Sequence, residues 1–236
     1  MAEQKHRDET RIVSPRESRE HAFRQVNIVH DRERHKVIAL TFLVCTLSFS
    51  FFLMNPDSAD AGNIKGKVHL VGEGNNANAV IYIEKVSGAF PPPDTAAVID
   101  QRNMAFIPEV LPILAGTTVK FMNNDEVLHN VFTPSPCAGA FNLGSFPSGE
   151  SKSQVFNKAG CAAMILCDIH PDMQAWVVVL QNPYYAVSDK DGDYFIKGVP
   201  AGTYTLKAWY GYFKTQSIRI TVPESGNVSA DFQLKQ

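Results

Sequence analysis

The run Cys167-Asp168-Ile169-His170-Pro171-Asp172-Met173 puts a thiolate, an imidazole and a thioether within seven residues, at the end of an apolar strand. A second imidazole, His129, lies upstream in Asn123-Asn124-Asp125-Glu126-Val127-Leu128-His129-Asn130. Two His, one Cys and a weak axial Met are the donor set of a blue-copper electron-transfer site. Soft sulfur favours Cu(I), imidazole suits Cu(II), and a cramped mixed site holds both with little rearrangement. A buried Cys, a surface His and a core Met that happen to be close would explain any one of these residues. Four of them in this order, with the first His far upstream, are poorly explained that way.

Such a site needs a scaffold that carries residue 129 to the 167–173 loop, and from Gly62 onward the pattern is β throughout. Ile64 to Val71 and Ala79 to Glu84 are short runs rich in Val and Ile, separated by the turn-prone Gly72-Glu73-Gly74-Asn75-Asn76. Phe90-Pro91-Pro92-Pro93-Asp94 is a rigid loop, because proline donates no ladder hydrogen bond. Met104 to Leu114 and Thr117 to Met122 read as strands around a Gly116 turn, followed by Val155-Phe156, Ala162 to Cys167 and Ala175 to Leu180. About seven strands without an amphipathic helix imply a sandwich.

On these residues, the chain from Gly62 to Pro183 resembles the cupredoxins, and among them the small plastocyanin and amicyanin type. Phe121-Met122-Asn123-Asn124 resembles the strand leading into the family's first ligand loop, with His129-Asn130-Val131-Phe132 after it. The amicyanin-like Cys-x-x-His-x-x-Met cluster is matched by Cys167, His170 and Met173. The resemblance implies a Greek-key β-sandwich holding a type 1 copper that cycles between Cu(I) and Cu(II). Cys167, His129 and His170 would form its trigonal plane, with Met173 long and axial. It also implies that His170 reaches the surface as the electron port, while His129 is buried with Asn130 supporting it from behind. Pro171 would stiffen the loop, and Asp172 would place negative charge where a partner docks. Trp176 and Phe132 read as packing residues rather than as an electron relay.

A second unit is expected over 184–236. Its spine is Tyr185-Ala186-Val187, the turn Asp189-Lys190-Asp191-Gly192-Asp193, Tyr194-Phe195-Ile196, Gly198-Val199-Pro200-Ala201-Gly202 and Thr203 to Trp209. The Asp-x-x-Gly-x-(Tyr/Phe)-x-Ile and Val-Pro-Ala-Gly-x-Tyr-x-Leu patterns resemble the carboxypeptidase-regulatory-like, transthyretin-like β-sandwich module. Some fifty residues bury little core alone. The module is therefore expected to pack on the first sheet, with the Ile64 to Val71 strand as a candidate addition. The combination looks like periplasmic fusions of the methylamine-utilisation-like type. Asp189, Asp191 and Asp193 lack the Gly and Glu positions of an EF-hand loop and read as a solvated turn. Asn227-Val228-Ser229 fits the glycosylation pattern but is set aside for a bacterial compartment.

The amino-terminal part differs from the rest. Residues 1–36 form a polar tail, and 37–54 are an apolar run without a charge, preceded by Arg32, Arg34 and Lys36. As a helix, the run would span roughly 27 Å. Residues 37–61 read as a signal peptide, with Ala59-Asp60-Ala61 as its cleavage motif, or as an uncleaved membrane anchor. Both readings put the folded part outside the cytoplasm, in the periplasm, and the second anchors it to the inner membrane. Cys45 falls in this segment, which leaves Cys137 and Cys161 as an even pair in an oxidising compartment. A disulfide between them is expected, the alternative being two buried thiols.

With 236 residues and a formal charge of −2, the chain has no nucleic-acid footprint. An oxidase or nitrite-reductase reading needs further His ligands, and after residue 61 only His69, His129 and His170 occur. His69 sits alone in an alternating strand, where an exposed position is expected. The expectation is therefore electron transfer without catalysis, with a redox protein such as a cytochrome or a membrane redox complex as partner. The rival is an accessory or structural copper-binding subunit of a membrane-associated redox complex.

Overall fold

The computed structural model describes residues 61–236, which form one compact unit. The polar tail, the apolar run and nearly all of the cleavage motif lie outside them. Among the described residues, no helix is long and apolar enough to cross a membrane.

The described chain is all-β. In order, the strands are β1 (Ala61–Leu70), β2 (Val80–Ile83), β3 (Ala97–Arg102), β4 (Ala105–Ile107), β5 (Val110–Leu114), β6 (Thr117–Asn123), β7 (His129–Thr133), β8 (Phe141–Phe146) and β9 (Ser151–Phe156). They continue as β10 (Ala162–Leu166), β11 (Gln174–Leu180), β12 (Tyr185–Val187), β13 (Asp193–Pro200), β14 (Gly202–Trp209), β15 (Gln216–Val222), β16 (Asn227–Ser229) and β17 (Phe232–Leu234). A 3-10 turn, Pro136–Ala138, follows β7.

These strands build four sheets around two cores. One sandwich pairs the sheet β5-β11-β10-β7-β8 with the sheet β4-β3-β6-β9. Its interior alternates off both, with Ile99, Val119, Phe121, Val131, Phe146, Ile165, Ala175 and Val177 buried. Proline decides one boundary here. Met104 to Leu114, expected as one strand, is split between β4 and β5 around Pro108, and the two pieces join opposite sheets. Pro108, without an N–H, ends one ladder where the chain crosses to the other sheet, whereas Pro112 is tolerated inside β5 because β5 is an edge strand.

The second sandwich corrects the expected division at 62–183 and 184–236. Its sheets are β12-β2-β14-β15 and β13-β1-β16, with β17 also on β1. Residues 61–83 thus pair with the carboxyl-terminal strands and leave the first sandwich to residues 97–180. The reason is the face of β1: Ile64, Val68 and Leu70 point inward and share a core with Ile83, Ile196, Leu206, Phe232 and Leu234. Removing each such side chain from water contributes about 1.5–3 kcal/mol, and the short carboxyl-terminal strands could not cover that face alone. Gly66 lets β1 lie close to the next segment, since a Cβ there would overlap the Ala230 carbonyl.

The two sandwiches are joined by a third cluster. Val178 and Leu180 on the outer face of β11, with Val110 of β5, pack on Val80 and Trp209 of the second sandwich. Trp176 stacks edge-on against Trp209 at 5.3 Å, a favoured aromatic geometry. This is why β11 reads Val-Val-Val-Leu without alternation: both its faces are buried.

Candidate metal centre

Two adjacent strands of the first sandwich aim at one end of it. His129 opens β7, Cys167 follows the last residue of β10, and the two strands pair through Leu166 and Phe132. Beyond Cys167 the chain turns through Asp168 to Met173 and returns as β11. The turn is closed by the Met173 amide donating to the His170 carbonyl at 3.0 Å. That bond sets the His-x-x-Met spacing, returning residue 173 to the core while His170 stays at the rim.

The structure brings His129, Cys167 and His170 into one group whose ligand atoms lie within 4.8 Å of one another. The Cys167 Sγ is 4.0 Å from His129 Nδ1 and 3.9 Å from His170 Nδ1, and the two nitrogens are 3.0 Å apart. That triangle can be tested against a metal ion. A point in its plane about 2.05 Å from both nitrogens falls about 2.25 Å from the sulfur, close to the ~2.0–2.1 and ~2.3 Å of metal–imidazole and metal–thiolate bonds. One mid-sized ion fits all three donors at once. His129 is fully buried, Cys167 nearly so, and His170 is partly exposed. Met173 is 1% exposed and belongs to the same core cluster as Cys167.

The surroundings hold the donors in place. The Asn130 backbone N–H points at Cys167 Sγ, 3.4 Å away. The Asn130 side chain accepts from the Asp168 amide at 3.4 Å and donates to Asn142 at 2.9 Å, and Asn142 donates to Asp168 at 3.3 Å. Asn130 therefore ties the two ligand-bearing segments together, and it is itself buried.

Behind His129 stands a residue to which the sequence reading gave no role. Asp125 Oδ2 accepts from His129 Nε2 at 3.0 Å and from the Met104 amide at 2.7 Å. Those donors, the Met104 amide first and the His129 ring next, hold its carboxyl below the usual carboxylate range. With Nδ1 facing the other ligands, Nε2 must carry the proton, and the carboxylate fixes that tautomer and the ring orientation. An acid four residues before a ligand His in a tight loop was the available clue.

Other expectations can be placed directly. Cys137 and Cys161 form a disulfide. His69 is exposed on β1. Asp189 Oδ1 accepts the Asp191 and Asp193 amides at 3.0 and 2.9 Å, and Lys67 bridges to Asp193 at 2.7 Å, so this acidic cluster is a closed turn. Trp176 packs between the sandwiches, and Phe132 is half-buried on β7.

The family model of the carboxypeptidase regulatory-like domain matches residues 173–235. The chain carries such a domain. In the structure, β1 and β2 complete that sandwich from the other end of the described chain. No curated protein matches the chain. Among solved structures, it is similar to a novel purple cupredoxin from Nitrosopumilus maritimus, with 26% identity over 35% of this chain and 98% of that one, at a TM-score of 0.32. It is also similar to a proline-to-phenylalanine variant of amicyanin in its reduced state, 29% identical over 43% of this chain and 98% of that one, at a TM-score of 0.34. A copper-containing nitrite reductase from Thermus scotoductus SA-01 is 24% identical over 42% of this chain, at a TM-score of 0.36, and the likeness spans 25% of that enzyme.

Proposed function

We propose that this chain is an exported cupredoxin with a type 1 copper centre that performs one-electron transfer. The observation that carries the proposal is the His129–Cys167–His170 triangle, whose three sides accommodate a single ion at imidazole and thiolate bond lengths. Copper held there would supply a one-electron couple, Cu(II) to Cu(I). Cys167 would provide the soft thiolate, His129 and His170 the imidazoles, and Met173 a weak thioether. The Asn130 amide, directed at the sulfur, tempers its charge. Asp125 and the Asn130–Asn142–Asp168 network keep the donors from relaxing when the charge on the site changes, so that little reorganisation accompanies each transfer.

His170 is the proposed exit for the electron, because it is the partly exposed donor of the three. Around this end, Met104, Val127, Leu128 and Ile169 expose apolar surface, with Asp168 and Asp172 beside them. That face suits brief contact with a redox protein such as a cytochrome or a membrane redox complex carrying basic groups near its own centre. The proposal places the protein outside the cytoplasm, in keeping with the Cys137–Cys161 disulfide. The visible spectrum of the copper-loaded protein tests the reading. An intense thiolate-to-copper band toward the red should appear on oxidation and vanish in Cys167→Ala. A colourless protein that takes up zinc but never Cu(II) would refute it.

A further inference from the structure

The strands β7 and β10 carry the candidate ligands at one end and a covalent cross-link at the other. At the site end, His129 begins β7 and Cys167 directly follows β10. At the far end, Cys137 lies in the turn after β7 and Cys161 directly precedes β10, and the disulfide closes them. Between these points the strands are weakly laddered. Their register rests on one residue pair, Leu166 with Phe132. Further along, the Met164 amide donates to the Ser135 side chain at 3.0 Å instead of to a backbone carbonyl. By contrast, β10 and β11 pair through five residues. The relative position of the His129 and Cys167 strands is thus poorly fixed by backbone hydrogen bonds.

We propose that the Cys137–Cys161 bridge is a positioning clamp for the metal ligands His129 and Cys167. This inference rests on the copper reading above and adds to it a pair of residues that touch no metal. The bridge supplies the constraint that the missing ladder bonds would have given. It also shortens the loop that the metal closes. His129 and Cys167 are 38 residues apart. Through the bridge, the path between them falls to about 15 residues, and the probability of the ends meeting in a flexible chain scales as the inverse three-halves power of loop length. The ligands therefore meet about fourfold more often with the bridge in place, before any misplacement of the strands is counted. Cys167 itself is buried and unbridged.

The test compares the oxidised, copper-loaded full chain with two variants. One is Cys137→Ser with Cys161→Ser. The other inserts two glycines between Thr133 and Pro134, which keeps the bridge but slackens the tether. The readouts are copper affinity by chelator competition, the thiolate-to-copper band and the thermal midpoint. The double serine variant should lose fourfold or more in copper affinity. The insertion barely lengthens the path, from about 15 to about 17 residues, and should lose more than twofold through misplacement of the slackened strands alone. Both should show a shifted or weakened band. If the double serine variant does not fold, the glycine insertion decides alone. Affinity within twofold of wild type and an unchanged band, with only a lower thermal midpoint, would overturn the clamp and leave the bridge a general staple. A wild type that binds no copper overturns the copper reading and the clamp together. A blue wild type with unaltered variants overturns the clamp alone.

Discussion

Replacing Asp125 with alanine removes one carboxylate that serves two loops. Its Oδ2 takes the His129 Nε2 proton at 3.0 Å and the Met104 amide at 2.7 Å, and its Oδ1 takes the Glu126 amide at 3.0 Å. The carboxylate is therefore aimed at His129 by backbone groups on both sides, one from the β3–β4 hairpin and one from its own loop. Loss of such a partner typically lowers metal affinity about 10–100-fold. The high end is expected for alanine, because the Met104 amide is orphaned along with the ring. Asp125→Asn keeps the size and one acceptor oxygen but not the charge, so it should fall between wild type and alanine. Removing a negative charge behind a ligand imidazole also disfavours Cu(II) relative to Cu(I), so the reduction potential should rise in both variants, more in alanine. Chelator competition gives the affinity and voltammetry the potential, with the visible band reporting geometry. Alanine with affinity within twofold of wild type and an unmoved potential would show that packing alone orients His129. A potential that falls would refute the electrostatic part.

Asp172→Lys reverses a charge on the exposed loop beside His170 without touching a donor. It should change the rate of electron exchange with a charged partner while the copper spectrum stays intact, and the change should fade as salt shortens the screening length to about 10 Å at 0.1 M and below. Stopped-flow exchange at two ionic strengths checks this; equal rates at both would move the docking face elsewhere. Met173→Leu should retain a coloured site and raise the potential, since a thioether donor is lost from a fully buried position; voltammetry reads it. Trp209→Ala empties the joint between the sandwiches, where Trp209 meets Trp176. It should cost about 3–5 kcal/mol and split the thermal transition of the metal-free protein into two, as calorimetry would show.

The donors of the candidate site were legible in the sequence because they depend on residue types and short spacings. Cys167, His170 and Met173 share a loop too short to disperse them, and His129 sits in a turn-rich segment just before an apolar strand. The turns were legible too: Gly116 takes a φ of +88°, and the Pro91–Pro93 segment joins no sheet. What stayed hidden depends on distant partners. The alternation in β1 marks one buried face, and the strand is a candidate addition to the second unit, but the pattern does not say which strands it joins; its mates β13, β16 and β17 come more than a hundred residues later. β8, Phe-Asn-Leu-Gly-Ser-Phe, buries only its last residue and has too little apolar periodicity to be read as a strand. Asp125 looks like any loop acid until the orientation of the His129 ring is known.

The division of the chain into cores bears on the site as well. Met173 immediately precedes β11, and β11 is the strand whose outer face packs on the second sandwich through Trp176, Val178 and Leu180. The residue proposed as the axial donor is therefore anchored to a strand locked between two cores, while β10, before Cys167, meets the second sandwich only through Ala162 and through Met164, whose sulfur accepts from the Tyr212 hydroxyl at 2.8 Å. Side chains in a close-packed interior lose contacts outright when neighbours shift by even a fraction of an ångström, so β11 resists displacement from both sides. If Met173 is a weak donor to a metal, this anchoring would keep its position the same in both oxidation states. The second sandwich would then bear on the proposed site through the joint, because it packs on the strand that Met173 immediately precedes. The Trp209→Ala variant separates this from simple stability. If the joint matters to the site, the copper-loaded variant at a temperature where both sandwiches remain folded should show a displaced potential. An unchanged potential would confine the role of the joint to holding the two sandwiches together.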